Sequence, residues 1–332
     1  MAALLVELEP RGAFHFGERG IGHEEAAEIL HADTLFSALC AAWVWLYGED
    51  SLAEELLSAP PPFLLSSGFP YAGTVRFYPP PLAPLASPAL LRKAKDVAWC
   101  SEEAFRAWLA GRVDEVELRE LHEGTVWLTD GELERLRGDL GLRAPERISL
   151  WAPARVPRVT LDVPGSGSAL WHYGRVWFRK GCGLYFVLRF LESTVEEKLK
   201  AALRLLGDVG LGGDRTVGHG LFRPAFRAAP DWLRPEAGER FVTLSPVFPA
   251  SEQAATLLAP GCRYRFLVRS GWIGGLLPSP CRRRKVRLLG EGSVLGGDPR
   301  RVWGMLADVT PAEEPLPHRV YRWGYAFPVG VG

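Results

Sequence analysis

Gly207-Asp208-Val209-Gly210-Leu211-Gly212-Gly213-Asp214-Arg215-Thr216-Val217-Gly218-His219-Gly220 places six glycines between a predicted helix (residues 196–206) and a predicted strand (residues 221–226). Glycine lacks Cβ, tolerates φ > 0 and lets successive N–H groups turn toward an anion. The stretch is not a Walker A loop, which needs Gly-Lys-Ser or Gly-Lys-Thr entering a helix, because it leaves a helix to enter a strand. Nor is it a dinucleotide fingerprint: Gly210-Leu211-Gly212 is followed by Arg215 where the third glycine should stand. A basic residue in such a loop favours a polyanion such as RNA over a cofactor, and the competing reading is a long connection with no ligand. If it cradles phosphate, the residues that do so are Gly210, Gly212, Gly213, Arg215, Gly218 and His219.

At 332 residues the chain is long enough for two ordinary domains. Its net charge is zero, yet residues 1–150 carry 13 Lys and Arg against 24 Asp and Glu, a balance of −11, and residues 151–332 carry 26 against 15, a balance of +11. An acidic half and a basic half suggest two kinds of partner, a protein surface and a nucleic acid. Of the 39 basic residues 33 are Arg, which suits bidentate phosphate contacts and stacking on bases, although a GC-rich genome that writes Arg for Lys would produce the same bias. Five cysteines scattered singly, with no C-x-x-C pair, argue against a zinc site or a disulfide framework and for a reducing, cytoplasmic setting. The amino terminus has neither a basic n-region nor a long apolar h-region, and no run approaches the ~18 apolar residues of a membrane span. No cofactor or metal is expected.

Residues 2–9 read as a strand, and a loop over 11–30 leads to a helix with Asp33 as its expected N-cap and apolar residues at Leu35, Phe36, Leu39, Cys40, Trp43 and Leu46. Residues 63–78 supply one or two strands, closed by Pro79-Pro80-Pro81. Residues 88–150 are charged, helical in pattern (Glu102 to Leu109, Gly131 to Arg137) and thin in apolar residues, which reads as a helical insertion. Residues 157–178 form a long hairpin around Pro164-Gly165-Ser166-Gly167-Ser168, followed by a strand (183–191), a helix, the glycine loop at 207–220 and a last strand. Without the insertion, residues 1–228 spell β-α-β-β-α-β, the order of a ferredoxin-like or RRM-type domain. Beyond a Pro-rich joint, residues 240–332 are mostly strands with one short helix, a second and more degenerate domain. The expected class is therefore α+β, two tandem ferredoxin-like domains.

These residues resemble the RAMP superfamily of CRISPR effector complexes and, within its Cas-five-like group, the fourth subunits of the Csm (type III-A) complex. The resemblance runs the length of the chain. It rests on Phe14-His15-Phe16-Gly17-Glu18, on the string from Ala32-Asp33-Thr34 to Leu39, on Arg76-Phe77-Tyr78 with the three prolines, and on the glycine loop running into Leu221-Phe222. Later strings are Arg269-Ser270-Gly271-Trp272, Lys285-Val286-Arg287 through Glu291-Gly292-Ser293-Val294, and Val320-Tyr321-Arg322-Trp323-Gly324-Tyr325. The resemblance implies a non-catalytic subunit that grips the 5′ tag of the crRNA, sits beside the large palm-domain subunit, starts the filament of backbone Csm subunits in antiviral defence and meets target RNA only indirectly. It also makes the hairpin a thumb that kinks the RNA where tag meets guide. Val163 follows Asp162 where family members often carry a basic residue, so the thumb's basic contacts are expected from Arg155, Arg158 and Arg175.

Single-stranded RNA is held by phosphate contacts, stacking and the 2′-OH. Arg282-Arg283-Arg284-Lys285 with Arg287 is a second basic run, expected to bind RNA rather than to be plain solvated surface. Trp171-His172-Tyr173 and Trp43-Val44-Trp45 are candidate stacking platforms; Trp43 sits at core spacing, whereas Trp171, beside the hairpin turn, is the better placed to touch a base. His15, His23, His31 and His219 keep open an alternative, a metal-independent crRNA-processing endoribonuclease with general acid–base histidines, against the simpler role of capping or touching RNA. A third reading is the equivalent subunit of a neighbouring type III effector. The acidic insertion is expected to dock on a protein partner through Trp99, Phe105 and Trp108.

Overall fold

The computed structural model describes residues 3–17, 26–144, 149–161, 168–273, 281–312, 316 and 318–331. His23, Asp162, Val163 and the hairpin's turn therefore lie outside the described residues, as does the side chain of Trp171.

The first half follows the chain order β1 (Ala3–Pro10), α1 (Ala32–Ser51), β2 (Phe63–Leu65), β3 (Phe69–Ala72), β4 (Val75–Tyr78), α2 (Pro88–Lys93), β5 (Trp99–Ser101), α3 (Glu102–Leu109), β6 (Leu118–Leu121), β7 (Val126–Thr129) and α4 (Asp130–Leu140). Then come β8 (Trp151–Leu161), β9 (Ser168–Phe178), β10 (Cys182–Phe190), α5 (Glu196–Val209) and β11 (Phe222–Ala228). One large mixed sheet runs β11-β1-β10-β3-β4-β5-β7-β6, with β2 also paired to β10. Strand β10 is buried along all nine residues, as its mostly apolar sequence requires of a central strand, and its one charged residue, Arg189, donates to Leu233 O and Pro328 O. Helix α5 packs on α1 through Leu199, Ala202, Leu203 and Leu206, spaced three and four apart on one face, while Glu196, Glu197 and Lys200 pair outside. In α1 the same logic buries Leu35, Phe36, Leu39 and Trp43.

Residues 88–150 correct the expected helical insertion. They carry three strands as well as three helices, and β5, β7 and β6 extend the main sheet from β4. The strands are three or four residues long, too short to show an alternating pattern against the charged helices around them. Trp99, Phe105 and Trp108 are not partner anchors, because all three are buried; Trp108 stacks on Trp127 at 5.9 Å and Trp99 Nε1 donates to Glu28 at 2.9 Å. Helix α4 is started by a reciprocal capping box between Thr129 and Glu132 and stopped by Gly141 at φ 62°.

The second half consists of β12 (Arg240–Thr243), α6 (Ala254–Leu257), β13 (Phe266–Arg269), β14 (Val286–Leu289), β15 (Val294–Gly296), β16 (Ala307–Asp308), β17 (Tyr321–Arg322) and β18 (Pro328–Gly330). Strand β12 lies between β15 and β18, while β13 and β14 form a separate antiparallel ribbon. The main apolar core does not stop at the Pro-rich joint: Trp323 stacks on Phe63 at 5.4 Å and packs on Phe36 at 4.8 Å, and Leu244, Tyr325 and Phe327 belong to the same cluster.

The strings that carry the resemblance meet across this junction. His31 Nδ1 and Glu291 Oε1 are 2.6 Å apart, Ser67 Oγ donates to the same carboxylate oxygen at 2.5 Å, and Ser67 Oγ in turn accepts from Ala32 N at 2.9 Å. Burial alone would raise the Glu291 carboxyl, but His31 and these hydrogen bonds hold it below its ordinary value. Gly292, at φ 80°, is needed for close approach, since a Cβ there would stand 2.5 Å from Pro80 O. Asp33 is not the N-cap expected of it. His31 occupies that position, and Asp33 lies fully buried in the first turn, accepting from Arg269 Nε at 3.0 Å and from Arg322 Nη1. Burial acts to raise its carboxyl; the two guanidinium groups outweigh that and hold it far below the usual range.

Candidate nucleic-acid interface

The glycine loop leaves α5 at Gly210 (φ 91°), whose N–H still donates to Leu206 O, and returns to β11 after a short 3-10 turn over Arg215–Val217. Its glycines serve packing first. A Cβ on Gly212 (φ 88°) would stand 2.2 Å from His15 O, and one on Gly220 (φ 78°) 2.0 Å from Leu211 O. Gly213 N donates to His15 O at 3.0 Å, Gly220 N to Ala13 O at 2.9 Å, and Leu211 N to Gly220 O at 2.9 Å. The N–H groups of Gly218 and His219 donate to Arg215 O and Asp214 O. Most of the backbone donors expected to face an anion are thus engaged inside the protein, because the loop is pressed against residues 13–15. What the loop offers outward is the exposed Arg215 side chain, with open space around Gly218.

The hairpin β8–β9 stands over this loop, paired in register from Trp151–Phe178 to Leu161–Ser168. Alternation along it sends Arg158, Tyr173, Arg175 and Trp177 to one face and Arg155 to the other. On the first face the Tyr173 ring stacks on His15 at 4.3 Å, and the His219 ring lies 6.4 Å away, inclined by only 16°. The Arg158 guanidinium covers Tyr173 at 4.5 Å and pairs with Asp214; Arg175 lies 3.5 Å from His219 Nε2 and 5.3 Å from the centre of the exposed Trp177 ring. His15 is 7% exposed, and its Nδ1 is 2.6 Å from Gly174 O. Burial, and then Arg175, depress the His219 imidazole and keep it neutral; burial, reinforced by Asp214, raises the Tyr173 phenol.

Of the residues expected at the site, the structure therefore joins His15, Gly212, Gly213, His219, Arg158 and Arg175 in one cluster. Arg155 is exposed on the hairpin's other face, and Arg215 on the loop's outer turn. The run from Arg282 to Lys285 belongs to another element and does not act as one patch: Arg282, Arg284 and Lys285 are exposed, but Arg283 turns inward, 3.4 Å from Ser37 Oγ, and burial pushes it down to about 10. Asp214 and Trp177 were missed as site residues, and Tyr173 was singled out only as part of the candidate stacking stretch Trp171-His172-Tyr173. The alternation that pairs Arg158 and Arg175 with Tyr173 was the available signal. Among the described residues no group of His, Cys, Asp and Glu could hold a metal, and no helix is long and apolar enough to cross a membrane.

Comparison with known proteins follows this architecture. A family model described as the CRISPR Csm4 C-terminal domain matches residues 236–331. The CRISPR system Cms protein Csm4 of Thermococcus onnurineus is 30% identical over 99% of this chain and 96% of its own length; the protein of that name from Mycobacterium tuberculosis is 28% identical over 89% and 88%. Among solved structures, a crystal structure of a Csm3-Csm4 subcomplex in the type III-A CRISPR-Cas interference complex superposes with a TM-score of 0.67 at 19% identity, covering 98% of both chains. A Csm1-Csm4 cassette in complex with cA4 superposes with a TM-score of 0.59 at 21% identity, covering 100% of this chain and 98% of that one. The fold is shared with both, and 30% identity to the Thermococcus protein over nearly the full length of both chains shows that the chain belongs to the Csm4 family, the fourth subunits of the Csm (type III-A) CRISPR complex.

Proposed function

We propose that this chain is an RNA-binding subunit with no active site of its own, which holds the 5′ tag of a crRNA and links the large palm-domain subunit to the backbone filament of the effector in antiviral defence. The observation that carries the reading is the convergence of hairpin and glycine loop on the Tyr173 ring stack, with Arg158 and Arg175 beside it. Guanidinium groups suit phosphate, and the Arg158 guanidinium lies over the Tyr173 ring while it pairs with Asp214. The solved Csm4 chains assemble with Csm3 and with Csm1, which supports partners of those two kinds here.

The two-domain division at 1–228 and 240–332 belongs to the same proposal. The order β11-β1-β10-β3, with α1 and α5 as crossovers, matches a ferredoxin-like sheet. In the second half, the order β18-β12-β15, extended toward β13 by the Arg263–Val294 bridge, supports a degenerate copy in which the first crossover helix shrinks to α6.

Non-catalysis is supported by His15, whose ring is buried and tied to Gly174 O rather than presented to a strand. Incubating the protein with repeat RNA in EDTA tests this: the account expects stoichiometric binding and intact RNA. A product ending in a 2′,3′-cyclic phosphate would instead establish the endoribonuclease.

A further inference from the structure

The ribbon β13–β14 carries a surface that the hairpin cluster does not use. Between Glu252 and Glu291 the sequence has no acidic residue and eight basic ones. Arg269 and Arg283 turn inward, to Asp33 and Ser37. The other six, Arg263, Arg265, Arg282, Arg284, Lys285 and Arg287, are exposed, and none makes an ion pair among the described residues. Surface arginines elsewhere are commonly paired, as Arg119, Arg135 and Arg319 are.

Among these cations stand aromatic rings in solvent. Phe266 (63% exposed) and Val268 occupy alternate positions of β13 and so share a face, with Arg287 directly across from Val268, and Tyr264 (41%) lies just before the strand. The Tyr264 and Phe266 rings meet edge to face at 5.6 Å. Past the strand end, Trp272 (49% exposed) bridges to Arg282, whose guanidinium lies 4.4 Å from its ring centre.

We propose that this face binds an unpaired RNA strand without reading its sequence, stacking bases on Phe266 and Trp272 and seating phosphates on the surrounding arginines and Lys285. Flat π-faces interleaved with cations are what a single strand requires. A protein partner would have to desolvate six unpaired charges, whereas a polyphosphate strand supplies a counter-charge to each. The inference does not depend on the hairpin cluster, since the two surfaces share no residue.

The test uses the full chain and labelled oligouridylate, read by fluorescence anisotropy across a salt series, with circular dichroism and melting as fold controls. Replacing Phe266→Ala with Trp272→Ala should weaken binding roughly tenfold or more. Arg284→Glu with Lys285→Glu should weaken it and flatten the plot of log K against log salt by roughly 0.7 for each phosphate that is no longer neutralised. Both effects should persist in a background of Arg158→Glu and Arg175→Glu, and iodouridine should photo-crosslink to peptides containing Phe266 or Trp272. Wild-type affinity and slope in both folded ribbon variants would overturn the proposal. So would variants that bind oligouridylate normally but fail to assemble with the other effector subunits, since the face would then meet protein. A failure of the hairpin reading appears separately, as tag binding indifferent to Arg158 and Arg175.

Discussion

Gly212→Ala and Gly218→Ala form a matched pair that separates two reasons for a glycine. Both positions have positive φ, 88° and 84°, so each alanine pays a similar left-handed penalty of about 1–2 kcal/mol, offset in part by reduced freedom of the unfolded chain. The surroundings differ. A Cβ at Gly218 meets nothing within 4 Å, whereas one at Gly212 would lie 2.2 Å from His15 O and 3.2 Å from Phe16 Cδ1. Relief requires backbone movement at His15, which disturbs the hydrogen bond from Gly213 N to His15 O and adds about 1–3 kcal/mol for a buried acceptor left without its donor. Gly218→Ala should therefore cost about 1 kcal/mol and Gly212→Ala about 3 kcal/mol in equilibrium urea unfolding, with unchanged m values. Gly218→Ala should also bind tag RNA as the parent does. Equal destabilisation of the two would refute the claim that the loop is pressed against residues 13–15, leaving conformational freedom as the glycines' only role.

Three further outcomes follow from particular contacts. Asp33→Ala should lose about 3–5 kcal/mol, because Arg269 and Arg322 would keep buried charges without their partner. Since the native Asp33 and Glu291 carboxyls lie below their unfolded values, their contribution is complete at neutral pH and should fade as pH falls below about 4, toward the native values; an acid titration of Asp33→Asn should be shallower there than that of the parent. The exposed acids Asp114, Glu115 and Glu117, reversed together to Lys, should slow assembly with the large subunit at low salt while tag affinity is no weaker; unaltered kinetics in stopped flow would mark this acidic region as plain solvated surface. Glu102 and Glu103 are unsuitable for that test, because they accept from Trp232 Nε1 and from Thr129 Oγ1 and Arg135.

What could be read from sequence was whatever repeats along the chain. Helix α3 is periodic over its eight residues and lies where its pattern puts it, and the long hairpin is where its strand-like runs around a Pro- and Gly-rich turn put it, although it begins six residues before the expected Pro157. Strands β5, β6 and β7 offer three or four residues each, so their membership of the main sheet rests on long-range pairing that no local pattern encodes. The same limit applies to side-chain roles. Asp33 has the composition of a cap and the environment of a buried ion pair, and only the arrival of Arg269 and Arg322, over two hundred residues later, decides between them. Arg283 looks like its neighbours in a basic run, yet extended backbone sends it inward while Arg282 and Arg284 face water. Within the candidate site, the arginines were legible from residue type; their gathering on Tyr173 depends on the hairpin leaning over the glycine loop.

The central claim is that RNA is held where hairpin and loop converge. Its most direct test is the affinity and salt dependence of tag RNA for the folded chain carrying Arg158→Ala and Arg175→Ala. Two charge-assisted contacts at about 1.5–3 kcal/mol each predict at least about a hundredfold loss of affinity, together with a salt slope shallower by roughly 1.4. Affinity and slope equal to the parent's, with melting unchanged, would contradict the account and move the RNA path elsewhere on the protein.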